Sequence, residues 1–266
     1  MMNSHGYHEI SMQVTDWVVA VVVLILICTY IGAGLNSNKK EHLSTWPFYR
    51  YILWIIGFLL VGISLVGPIA ELAHRNFTAH MLSHLFLGML APLLLALAAP
   101  TTLLLRMLSV QHARILSKLL KTSFFSFVRH PVIASVLNIG GLWVLYTTDL
   151  YMLMHENLFV HLIVHFHIFV AGYLFTISMI YIDPAPHRFS YLYRAIVLVF
   201  ALAGHGILSK YIYANSPVGV PKDQAETGGI LMYYGGDAID IVIIFILCLH
   251  WYRSTRPKAS LNASPN

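Results

Sequence analysis

Charge is what this sequence of 266 residues has least of: lysine, arginine, aspartate and glutamate together make up 10% of it, against 58% hydrophobic residues. A soluble domain carries roughly 25% charged residues, so these are too few to coat a water-soluble body of this size, and the apolar surface must face lipid. Cysteine is nearly absent. Cys28 and Cys248 both lie inside apolar runs and there is no CxxC pair, which excludes a thiol relay or a soluble copper-chaperone loop. No basic stripe interleaved with aromatic residues is present, and nucleic acid is excluded as a partner on that ground. GxSxG, HExxH and a phosphate-binding glycine loop are also missing, so the common signatures of an enzyme are not found. The first apolar run has no basic residue before it and no small-x-small site after it. It reads as a retained helix rather than a cleaved signal.

What the sequence has instead is long apolar runs. Crossing the hydrocarbon layer takes about 20 mainly apolar residues in a helix. Seven runs qualify: Asp16 to Leu35, Tyr51 to Ala70, His80 to Leu105, Pro131 to Thr148, Leu158 to Ile182, Tyr191 to Tyr213 and Ile230 to Trp251. The expected fold is all-α, a polytopic membrane protein of seven transmembrane helices. Pro92 predicts a kink in the third, and Pro131 suits the first turn of the fourth. With the amino terminus outside, thirteen of the sixteen lysines and arginines fall on the inner side, and only Arg75, Lys210 and Lys222 on the outer. The positive-inside rule then places the carboxyl terminus in the cytoplasm. Three parts follow: an outer amino-terminal segment over 1–15, a membrane domain over 16–252, and a disordered cytoplasmic tail over 253–266.

The connecting segments carry their own patterns. Between Arg106 and His130, Leu119, Leu120, Phe124, Phe125 and Phe127 are interspersed with Lys118, Lys121 and Arg129, the pattern of a basic amphipathic segment lying on anionic lipid. Asn215 to Gly229 reads as an ordered turn or lid. Pro184 and Pro186 stop the fifth run, and Asp183 is expected to make a local turn bond.

Ionisable side chains inside lipid are expensive and face a bundle interior or a cavity. His80 and His84 are four apart on the third run and share a face; His161 and His165 do the same on the fifth, which also carries His167. His205 lies about 12 Å below the outer end of the sixth run, and Asp237 about 10 Å below the start of the seventh, with Asp240 one turn deeper. Four helices therefore bring His80, His84, His161, His165, His205 and Asp237 to overlapping depths in the outer half of the membrane. These six are the candidate metal ligands. Imidazole suits copper, zinc, iron and nickel, and the thioethers of Met81, Met89 and Met232 near the same layer would favour copper(I), although methionines in an apolar chain mostly serve packing. Asp237, Asp240 and Ser83 are candidates to orient the rings. His74 and His155 in outer loops, with His5 and His8 at the amino end, could form an access route for a metal ion.

Three elements carry a resemblance to a known family: His80-Met81-x-x-His84; His161-x-x-x-His165 followed by Gly172-Tyr173-Leu174-Phe175; and Asp223-Gln224 followed by Gly228-Gly229-Ile230-Leu231-Met232-Tyr233. In this order they resemble the CtaG-type cytochrome c oxidase assembly factors of Gram-positive bacteria, multi-spanning proteins implicated in maturing caa-type oxidases. Tyr233 stands where that family more usually has Trp. The resemblance implies a bacterial cell-membrane protein that helps build the oxidase copper centre by supplying or inserting copper. The partners it implies are oxidase subunits, membrane lipids and an extracytoplasmic copper chaperone. Other readings of the same residues stay open. They include an intramembrane zinc hydrolase, in which His84, His165, His205 and Asp237 hold zinc and its water, a haem-binding electron carrier, and a scaffold.

Overall fold

The computed structural model describes residues 4–41, 43–185 and 187–256, with side chains from residue 16 onward. His42, the side chains of His5 and His8, and the tail over 257–266 lie outside the described residues. All regular structure among those described is helical. The elements are α1 (Ser4–Asn38), α2 (Phe48–Leu65), α3 (Pro68–Arg75), α4 (Phe77–Leu85), a π-helical turn (Phe86–Leu90), α5 (Ala91–Leu97), α6 (Pro100–Met107), α7 (Val110–Leu120) and α8 (Ser123–Val128). They continue with α9 (Pro131–Ser135), a second π-helical turn (Val136–Gly140), α10 (Gly141–Thr147), α11 (Leu150–Glu156), α12 (Leu158–Met179), α13 (Tyr191–Ala214) and α14 (Lys222–Thr255).

Among the described residues six helices are long and apolar enough to cross a membrane, or seven if the fourth, bent by 79° between Thr147 and Leu150, is counted as one span. This makes the chain a multi-pass membrane protein. The third span (Phe77–Leu97) is the centre of the bundle: 67% of its apolar window is buried, against 17% for the first span. α1 instead exposes Trp17, Val18, Val21, Leu24 and Ile25, as a helix bathed in lipid should.

Several boundaries differ from the sequence expectation, each for a local reason. The second run stops at Leu65, not Ala70, because Gly67 takes φ 81° and Pro68 starts α3. The third stops at Leu97, not Leu105. Ala99 adopts the left-handed region at φ 54°, Pro100 begins α6, and the freed carbonyl of Ala98 accepts a 2.6 Å bond from Tyr30 Oη. The fifth ends at Met179 rather than Ile182. The seventh starts at Lys222, so the second half of the expected turn or lid is helix; a polar first turn with Asp223 near its start suits the helix dipole. Residues 253–255, expected in a disordered tail, are its last turn.

The kink expected at Pro92 takes the form of a π-helical turn just before it. The Ala91 N–H donates to the Phe86 carbonyl, five residues back. Pro92 has no N–H to give the Gly88 carbonyl, and Gly172 of α12 packs directly against that carbonyl; a Cβ at 172 would collide with it. The motif glycines of α14 act the same way. A Cβ at Gly229 would stand 2.8 Å from the Ser209 carbonyl on α13, and one at Gly228 2.8 Å from the Phe77 ring on α4. Gln224 Oε1 accepts a 2.8 Å bond from Phe77 N–H, tying the start of α4 to α14. Between the spans, α7 and α8 bury no residue and expose Val110, Ile115, Leu119, Phe124 and Phe127, the amphipathic pair the sequence predicts.

Asp183 makes no local turn bond. Its carboxylate accepts from Thr101 N–H (3.0 Å), Thr102 N–H (2.7 Å) and Thr102 Oγ1 (2.6 Å), capping α6 from a distant linker.

Candidate metal centre

The histidines do not gather at a point. They form a file of imidazoles that starts outside the spans and descends between α4, α12, α13 and α14. At its outer end, His74 on α3 stands 5.6 Å from His155 on α11 and 4.8 Å from His161 on α12, measured between ring centres. The 79° bend of the fourth span is what lays α11, and with it His155, across this mouth. Loss of solvent around the His74 ring, with the nearby His155 second, holds its pKa below the ordinary histidine value.

One turn inward, His161 and His165 stack with centres 4.0 Å apart, and His165 lies 6.4 Å from His80 at 90°. The shared face read from the i, i+4 spacing is therefore real on both helices. His165 Nδ1 bonds the carbonyl of His161 at 2.9 Å, which leaves its Nε2 as the free nitrogen. His80 sits in an aromatic box of Phe77, Tyr146 and Tyr151, and its Nε2 bonds Tyr146 Oη at 3.1 Å. Tyr146 escapes sequence reasoning: a tyrosine in an apolar run gives no sign of its partner.

Deeper still, the ring centre of His84 lies 6.5 Å from that of His205. Both residues are buried. Neither ring nitrogen of His84 has a hydrogen-bond partner, and His205 Nε2 has none either. Buried polar atoms are paired in nearly every native protein, so such orphans ask for a reason. His205 is packed against Gly236, where a Cβ would come within 2.5 Å of the ring. Below it is a cavity of about 10 Å³, space for a single water or ion, bordered by His205, Asp240, Asn138 and Met89. Asn138 is placed there by the second π-helical turn, a feature often found at functional sites.

Asp240, 4% exposed, is thus the carboxylate beside His205, while Asp237 is half-buried and does not border that cavity. The methionines divide as well: Met89 reaches the cavity, whereas Met81 and Met232 are fully buried in the apolar core. Ser83 bonds the Ser64 carbonyl on α2 at 3.0 Å rather than any histidine. His167 turns away and bonds the Leu137 carbonyl at 3.1 Å. Among the described residues, no three histidine, cysteine, aspartate or glutamate side chains are arranged to hold a metal ion together. The six residues read from the sequence fall into two linked sets. His80, His161 and His165 make one, and His84 with His205 the other; Asp237 does not line the cavity beside His205.

A multi-pass helical membrane protein with a buried file of imidazoles between its spans is the class that fold and site define. Residues 28–254 match the cytochrome c oxidase caa3 assembly factor (Caa3_CtaG) family, and the chain belongs to that family, one of assembly factors rather than catalysts. It is also similar to uncharacterized mycobacterial proteins. One from Mycobacterium leprae (strain TN) is 26% identical over 90% of this chain and 39% of its own length. One from Mycobacterium tuberculosis (strain CDC 1551 / Oshkosh) is 28% identical over 92% of this chain and 40% of its own. The chain therefore spans about two fifths of the curated relatives it matches. No solved structure matches it.

Proposed function

We propose that this protein assists cytochrome c oxidase assembly by holding copper(I) on histidine pairs in the outer half of the membrane and yielding it to the oxidase copper centre. The observation that carries the reading is the His84–His205 pair: two buried rings, 6.5 Å apart, with three unbonded nitrogens between them. Two imidazoles bound in line to one ion, at about 2.0 Å per metal–nitrogen bond, place their ring centres roughly 6.3 Å apart. His80 and His165, at 6.4 Å, have the same spacing. Copper(I) accepts few ligands and exchanges them readily among nitrogen and sulfur donors. A file of pairs suits an ion that must be passed on better than a closed set of four would. Met89 and Asp240 at the inner end add a thioether and a carboxylate.

The weight of lysine and arginine on one side supports an amino terminus outside and a carboxyl terminus in the cytoplasm. His74 and His155 then open toward the side from which an extracytoplasmic copper chaperone would deliver the ion and near which oxidase subunits would receive it. Asp237 is not needed as a ligand in this reading.

The test is metal retention. Protein purified in detergent is loaded with copper(I) under reducing, anaerobic conditions, desalted, and analysed for copper and zinc. Wild type is expected to retain near-stoichiometric copper, and His84→Ala and His165→Ala to lose most of it. Equal copper in wild type and both variants overturns the site. Preferential zinc retention with turnover of a lipid substrate would replace it with the hydrolase reading.

A further inference from the structure

The end of the bundle opposite the histidine mouth holds a second concentration of polar groups, and it is cationic. The linker after α12, the start of α13 and the end of α14 border an open cavity of about 380 Å³. Arg194, Arg188, Arg253 and His250 border it, together with Tyr181 and Tyr191.

Arg194 is the unusual member. It is 2% exposed, among the most buried side chains in the protein. Its guanidinium carbon lies 4.1 Å from the ring centre of Tyr181 and 4.6 Å from that of Tyr191. Nη1 donates to the Met179 carbonyl at 2.5 Å, but the buried Nε has no partner. No carboxylate among the described residues pairs with this charge. Among the described residues the one salt bridge joins Lys222 to Glu226, at the far end of α14, and the nearest acidic residue along the chain, Asp183, is committed to Thr101 and Thr102. Three arginines thus meet at one cavity without a counter-ion among the described residues. Burying an unpaired cation is strongly unfavourable. A guanidinium with free donors matches the oxygens of a phosphate, which it can bind through two parallel N–H bonds.

We infer that this pocket binds a phosphate-bearing anion, with Arg194 as its buried floor and Arg188 and Arg253 closing over it from the rim. The shared chemistry is a phosphoryl group carrying negative charge, supplied by either an acidic phospholipid headgroup or free phosphate. The setting favours the lipid. Phe189, on the wall of the pocket, also borders the wider groove of about 610 Å³ beside α8. The exposed Phe124 and Phe127 of α8 mark that groove's level as the membrane interface.

The test is native mass spectrometry of the purified full chain in detergent, titrated with dioleoylphosphatidylglycerol, dioleoylphosphatidylcholine or inorganic phosphate. Wild type is expected to keep phosphatidylglycerol in preference to phosphatidylcholine. The double variant Arg188→Gln/Arg253→Gln, altered only at exposed positions, is expected to lose at least about tenfold in that binding. Arg194→Gln is expected to lose it altogether; should that variant not fold, the double variant decides. Indifference to millimolar phosphate identifies the headgroup as ligand. Displacement by phosphate, with phosphate itself lost in the double variant, identifies free phosphate. Binding of neither by wild type, or equal phosphatidylglycerol retention by wild type and a double variant of unchanged melting temperature, overturns the inference.

Discussion

The ring of His84 stands 6.5 Å from that of His205 and is tilted from it by only 25°, with no hydrogen bond to fix either nitrogen of His84. A buried polar group without a partner detracts from stability, and replacing it by an apolar side chain of similar shape is close to neutral or stabilising. His84→Leu is therefore expected to melt within a few degrees of wild type or above it, while losing retained copper. Wild type loaded with copper should melt higher than the metal-free protein, since a ligand that binds only the folded state stabilises it, and His84→Leu should show no such rise. Thermal unfolding in detergent with and without copper(I) checks both; a large fall in melting temperature for metal-free His84→Leu would mean that the ring is a structural element.

Gly172 and Gly88 make a graded pair. A Cβ at Gly172 meets the backbone carbonyl of Gly88, which cannot rotate away, whereas a Cβ at Gly88 meets the Ile168 side chain at 2.8 Å and the His84 ring at 3.2 Å, both of which can shift. Gly172→Ala is expected to cost about 1–3 kcal/mol by overpacking and Gly88→Ala less. Because Gly172 sets the approach of α12 to the third span, Gly172→Ala should also weaken copper retention through the His80–His165 pair. Melting temperature and copper content measured together would show whether the two effects follow the same order.

Asp183 supplies three bonds to the first turn of α6. Its removal leaves two backbone N–H groups without their carboxylate and takes a negative charge from a helix N-terminus. Asp183→Ala is expected to destabilise by about 1–2 kcal/mol, with Asp183→Asn in between. The site is remote from the histidines, so copper retention at low temperature should be unchanged in both.

Tyr30 Oη donates to the carbonyl freed where the chain breaks at Ala98 and accepts from Trp46 Nε1 at 3.2 Å. Tyr30→Phe leaves a buried acceptor and a buried donor unpaired together, for an expected loss of about 1–3 kcal/mol. Amide exchange concentrated at residues 97–103 would confirm that the hydroxyl holds this break.

How much of this was legible in the sequence varies by element. The i, i+4 pairs His80/His84 and His161/His165 sit on shared faces as read, because a helix places such residues together whatever it packs against. Asp237 and Asp240 are three apart, and only contact with α13 decides that Asp240 borders the His205 cavity. His74 and His155 could be suspected of marking an access route, but the 79° bend that brings them together is written in no single motif. The destination of Asp183 was misread because its partners lie some eighty residues earlier.

The sequence by itself determined that the chain is helical and that it lives in a membrane, since hydropathy and helical rise are properties of the chain taken one segment at a time. The tertiary structure alone decided which helices touch, how each is rotated about its axis, and therefore that the imidazoles form a file and that Arg194 is buried at a cationic cavity with no counter-ion among the described residues. Rotation and contact depend on how side chains and bare glycine backbones such as those of Gly88 and Gly172 fit together, and one helix's residues carry no record of the surface they will meet.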